Sequence, residues 1–80
     1  MNKERRKRIE NAIANLQDVM EEISAIQEEE QEAFDNLPEG IQDSPRGELI
    51  QETADGLDNV TSDLDNVILD LQDVLDNSYL

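Results

Sequence analysis

The sequence predicts an all-α protein: an antiparallel helical hairpin, coiled-coil-like, that assembles into a four-helix bundle or a higher oligomer. Three observations predict it. Apolar residues recur at alternating steps of three and four along both halves of the chain, which is the seam of a heptad helix. One short stretch rich in turn formers, Asp35-Asn36-Leu37-Pro38-Glu39-Gly40-Ile41-Gln42-Asp43-Ser44-Pro45-Arg46-Gly47, separates the halves. Finally, 80 residues without cysteine lie near the lower limit for a self-sufficient core, so the fold must rest on regular packing or on a partner subunit.

The first helix is expected over about residues 3–36. Its a and d positions are Ile9, Ala12, Leu16, Val19, Ile23, Ile26, then Glu30, Ala33 and Leu37, with Glu30 the one interruption. A further column, at e, holds Ile13, Met20, Gln27 and Phe34. The turn is expected over 37–44. Pro38 disfavours helix at Leu37, and Gly40 loosens the chain. Leu37 and Ile41 are placed to plug the end of the hairpin. The second helix is expected over about 45–78, with Ser44 as N-cap and Pro45 at the first helical position. Its a/d seam is Ile50, Thr53, Leu57, Val60, Leu64, Val67, Leu71 and Val74, and its e column is Ala54, Thr61, Ile68 and Leu75. So short a connection makes the helices antiparallel neighbours within one domain, residues 1–80. Residues equidistant from Ile41 then face each other.

A two-helix hairpin covers its a/d seam and leaves the e column wet. Ile13, Met20, Phe34, Ile68 and Leu75 are therefore the expected oligomer interface, worth several kcal/mol at ~25 cal/mol per Å². Leu69 and Tyr79 are placed to extend it.

The charge is lopsided. Asp and Glu number 21 against 6 Lys and Arg, a net −15. Five of the cations fall in Lys3-Glu4-Arg5-Arg6-Lys7-Arg8. Antiparallel pairing puts Arg5, Lys7 and Arg8 beside Asp73, Asp76 and the chain end, so Lys3–Arg8 is expected to form a charge clasp that closes the open end, with unfavourable helix dipoles offsetting each other. The acidic remainder excludes nucleic acid and anionic membranes as direct partners and points to a basic protein surface. Asp58, Asp65, Asp73 and Asp76 recur on the outward side of the second helix and are the candidate contact residues. No run of ~18 apolar residues exists to span a membrane, and no apolar segment follows the basic start. The expected location is the cytoplasm. The Asn59-Val60-Thr61 acceptor pattern sits within the heptads and is read as incidental.

Nothing in the pattern supports catalysis, so neither an enzyme nor a cofactor is expected. Histidine is absent, and the carboxylates lie on solvated helix faces rather than in a pocket. Asp63 and Asp65 lack the glycine and terminal Glu of a calcium loop, and no metal site is expected. Two places stand out. Gly56 lies well inside a helix, where glycine costs ~1 kcal/mol relative to alanine; close helix packing or plain tolerance is the simplest reason, a notch where a partner or ligand approaches the backbone the other. The start of the second helix is either an ordinary cap, with Arg46 paired to Glu48, Asp43 or Glu30, or an anion or nucleotide site of Ser44, Arg46 and Gly47, with Phe34 close across the turn to stack on a base.

Met1-Asn2-Lys3-Glu4-Arg5-Arg6-Lys7-Arg8-Ile9, the turn Phe34-Asp35-Asn36-Leu37-Pro38-Glu39, and Ser44-Pro45-Arg46-Gly47-Glu48 ahead of acidic heptads resemble small acidic proteins encoded by phages and prophages of Gram-positive bacteria. The resemblance implies a phage accessory protein acting in the host cytoplasm, where such proteins often disarm defences. It supplies no site residues. Three functions compete: an inhibitor that imitates nucleic acid and occupies a basic host defence or nucleic-acid-acting protein; an oligomeric sponge for a nucleotide immune signal; and a self-associating structural or scaffold protein.

Overall fold

The computed structural model describes residues 1–78. The chain forms a long helix α1 (Lys3–Asp35), a single turn of helix α2 (Glu39–Gln42) and a second long helix α3 (Pro45–Asn77). The described residues form an all-α hairpin, a rod of 60 × 16 × 12 Å across its Cα positions. Both long helices start on side-chain caps. Asn2 Oδ1 accepts from the Arg5 N–H at 2.8 Å, and Ser44 Oγ accepts from the Gly47 N–H at 3.4 Å, satisfying donors the helix itself cannot.

The connection is more ordered than its composition suggests. Pro38 precedes α2, and its carbonyl accepts from Ile41 and Gln42 at 2.8 and 3.1 Å. No glycine takes a positive φ, so Gly40 is helical rather than a hinge. Gln42 Nε2 donates back to the Phe34 carbonyl at 3.1 Å and ties α2 to the end of α1. Of the two expected plugs, Leu37 is half-buried and Ile41 remains 40% exposed. The end is closed by backbone instead: Gly47 is buried, and a Cβ there would overlap the carbonyl oxygens of Ile41 and Gln42.

The register is symmetric about Ile41. Gln31 and Gln51, equidistant from it, exchange amide hydrogen bonds at 3.2 and 3.1 Å.

The expected seam is displaced by one column. Among the described residues the buried apolar side chains are Ile13, Ala54 and Ile68, at 7%, 0% and 3% exposure. All three are e positions. Met20, Phe34 and Leu75 of the same column are half-buried, as are Ile9, Leu16, Ile23, Leu57, Leu64 and Leu71 of the a column. The column expected to stay wet thus lies inside the hairpin. The d column is outside: Val19, Ile26, Val60, Val67 and Val74 remain 42–46% exposed. The reason is size. Steps of three and four can be read from e to a (Ile13, Leu16, Met20, Ile23) as well as from a to d. Beside Gln27, Ala54 and Thr61 the e column carries Ile13, Met20, Phe34, Ile68 and Leu75, where d carries Val, Ala, Thr53 and the single Ile26, and burying the larger apolar area is favoured.

Candidate functional site

The displaced seam gives the rod two different broad faces. Gln31 and Gln51 both occupy b positions, one residue past an a position, and they bond across the helix junction. The b columns of the two antiparallel helices therefore share one broad face, and the d columns share the opposite one.

The acid lies mainly along the outer edges; on the b face Glu10, Asp58 and Asp65 alternate with Gln17, Ser24, Gln31, Gln51 and Gln72. Asp58 and Asp65 lie at b, Asp73 and Asp76 farther round the outer side of α3, and all four are exposed. From Asp55 to Asp76, α3 carries seven carboxylates. At 1.5 Å rise per residue that is about one charge per 4.5 Å, against about one per 3.4 Å along a single DNA strand. None of Asp58, Asp65, Asp73 and Asp76 joins the hydrogen bonds that hold the hairpin together. Two other carboxylates do take structural work: Gln31 Nε2 donates to Asp35 Oδ1 at 3.1 Å and Gln51 Nε2 to Asp55 Oδ1 at 2.9 Å. This Asp–Gln–Gln–Asp chain was not singled out from the sequence. Its signal was present, since Gln occupies b on both helices at equal distance from the turn.

The open end is closed by Arg6. Its Nη1 donates to the Leu75 carbonyl at 2.8 Å and to Ser78 Oγ at 2.9 Å. Neither long helix has a basic residue in its own last turn, so α1 supplies the cation that the C-terminus of α3 lacks. Within the expected Lys3–Arg8 clasp it is Arg6, projecting from the e column toward α3, that makes these bonds. Tyr79, expected to extend an oligomer contact, lies outside the described residues.

The turn does not gather the expected anion-site residues into one pocket. A shallow groove of about 280 Å³ is lined by Phe34, Gln42, Glu48, Gln51, Glu52 and Asp55. Three of its six walls are carboxylates, which repel a phosphate. Ser44, Arg46 and Gly47 are not among them. The open side of Gly47 is filled by the carbonyl oxygens of Ile41 and Gln42, and its N–H is already capped by Ser44. Arg46 is exposed.

Gly56 is exposed, and a Cβ built on it meets nothing within 4 Å. Close packing inside the hairpin is therefore not its reason. Among the described residues no group of three or more Asp, Glu, His or Cys converges to hold a metal ion. None of the described helices is long and apolar enough to cross a membrane.

No protein-family model, curated protein or solved structure matches the chain. The functional reading therefore rests on the geometry above.

Proposed function

We propose that the protein is a non-catalytic binding module whose acidic side occupies a basic protein surface that otherwise holds nucleic acid. The observation that supports it is the exposure of Asp58, Asp65, Asp73 and Asp76 on a rigid rod that does not use them for its own packing. Solubility asks only for a net charge of about 2–8 in magnitude, and this chain carries −15. Dense carboxylates around the outer side of α3 give a summed field that steers a basic partner and confers salt-sensitive association. In the setting implied by the sequence resemblance, the protein is a phage accessory protein and the partner a host defence or nucleic-acid-acting protein.

The test is affinity purification from a Gram-positive host lysate at low and high salt, followed by competition with double-stranded DNA. The reading expects a basic protein that is released by salt and by DNA. Asp58, Asp65 and Asp73 changed together to Asn should slow its association at least tenfold with helicity unchanged. Each single change should cost under ~1 kcal/mol, because exposed charge pairs are individually weak. Capture that survives the triple change but is lost in Arg46→Ala would refute this reading in favour of an anion site at the turn.

A further inference from the structure

We infer that the d-column face is a homodimer interface, on which a second copy of the chain packs face to face and end for end. The turn of one copy lies over the open end of the other. The inference does not depend on the acidic reading of the opposite face.

The face is apolar and continuous. It comprises Ala12, Val19, Ile26 and Ala33 from α1 with Thr53, Val60, Val67 and Val74 from α3, all of them exposed. In a chain of net charge −15, these eight positions hold no charge. The one polar member brings no unsatisfied donor, because Thr53 Oγ1 donates to the Leu49 carbonyl at 2.9 Å.

The area matches a dimer. A compact monomer of 9.1 kDa exposes about 4,900 Å², whereas this chain exposes 5958 Å². The excess, about 1,000 Å², is of the size that one partner buries in a standard interface, about 800 Å². Nor has the single hairpin a deep core: among the described residues no large side chain is fully buried.

Self-complementarity selects a second copy over a foreign helix. The two d columns run antiparallel on one face, so rotating a copy by half a turn about an axis across the rod presents the same pattern to itself, as an isologous contact requires. Charge selects the orientation. Residues 28–55, the turn half, hold ten carboxylates against the single cation Arg46, while the other five cations lie in residues 1–8 at the open end. Stacking turn on turn would set the two acidic halves against each other. Stacking end for end brings each over the basic end of its partner. The dimer then turns both b faces, with Asp58 and Asp65, outward.

The orientation makes a sharp test possible, because the chain has no native cysteine. Val19 is the central residue of α1, so end-for-end packing puts it opposite the second copy's Val19. Val19→Cys should give a disulfide-linked dimer under mild oxidation. Asp65→Cys on the b face and Val74→Cys near the open end should not. By analytical ultracentrifugation the natural sequence should sediment as a dimer at micromolar concentration. Val60→Asp with Val67→Asp should raise the dissociation constant at least a hundredfold while circular dichroism stays helical. A monomeric natural sequence would overturn the inference, as would efficient linkage through Asp65→Cys. A dimer that links through Val74→Cys but not Val19→Cys would overturn the end-for-end arrangement. If the double Asp variant loses helicity, the crosslinking pattern still decides the matter.

Discussion

The same substitution at two glycines of α3 should change stability in opposite directions. Alanine is favoured over glycine inside a helix by ~1 kcal/mol, and that gain applies to both Gly47→Ala and Gly56→Ala. At Gly56 nothing lies within 4 Å of the new methyl group, so the full gain of ~1 kcal/mol should appear. At Gly47 the methyl group would overlap two main-chain carbonyl oxygens, of Ile41 and Gln42. They cannot rotate aside as a side chain would. The Ile41 carbonyl also accepts from the Ser44 N–H at 3.0 Å, and Gln42 is tied to Phe34. Making room means lifting α2 off the first turn of α3, and overpacking of this kind costs ~1–3 kcal/mol. The net for Gly47→Ala is a loss of up to ~2 kcal/mol. For a domain of this size ~1 kcal/mol moves the melting temperature by about 4–8 °C. Thermal unfolding followed by circular dichroism, at equal protein concentration, should show Gly56→Ala raised by about that much and Gly47→Ala lowered, by up to about twice as much. Two variants that both melt higher would show that the turn does not seat on Gly47.

The displaced seam changes what the e column does. Ile68→Asp should unfold the hairpin rather than merely dissociate it, since a residue 3% exposed would bring an unpaired carboxylate into the core at a cost of ~3 kcal/mol or more; a well-folded Ile68→Asp monomer would contradict the observed packing. Arg6→Ala should lower stability by ~1–2 kcal/mol through loss of charge-assisted bonds to the α3 terminus, with hydrogen exchange fastest in the last turn of α3; an unaltered exchange pattern would show that the clasp is ornamental. Added salt should raise the melting temperature, because the Debye length falls from about 30 Å at 0.01 M to about 8 Å at 0.15 M and the crowded carboxylates of the turn half repel one another less. A melting point indifferent to ionic strength would mean that this repulsion does not weigh on the fold.

Much of this architecture is legible in the sequence, for identifiable reasons. Helix ends follow from local chemistry, so Ser44-Pro45 marks the start of α3 and Asp35-Asn36 the end of α1. Register follows from one short turn, which brings Gln31 opposite Gln51. The face of each helix that turns inward is less legible. Three apolar columns offer two heptad seams of equal period, and spacing cannot choose between them; side-chain volume can, and the Ile, Met, Phe and Leu of the e column outweigh the Val and Ala of the d column. The part that Arg6 plays within the expected Lys3–Arg8 clasp was hidden for a related reason. As one of five clustered cations it has no distinction in sequence. It is an e residue, however, and once e faces α3 its reach to Leu75 follows. The role of Gly47 was not legible at all, because it depends on where the carbonyls of Ile41 and Gln42 end up.

The two faces bear on each other through electrostatics. A hairpin of net charge −15 gains little by bringing a second copy close unless the contact is apolar and the acids point away. Burying the d columns makes the contact apolar and keeps Asp58 and Asp65 on the opposite face, while Glu22, Glu29, Asp63 and Asp70, at g, are left at its solvated rim. Dimerisation would then double the number of acidic faces without placing one against another. A basic partner that covers such a face screens the carboxylates that burden the free protein, so on the proposed reading binding relieves a self-repulsion already present in the unbound rod. Acid beyond what solubility requires is in that case stored interaction energy. It weakens the free hairpin modestly and is recovered when a surface of opposite charge arrives.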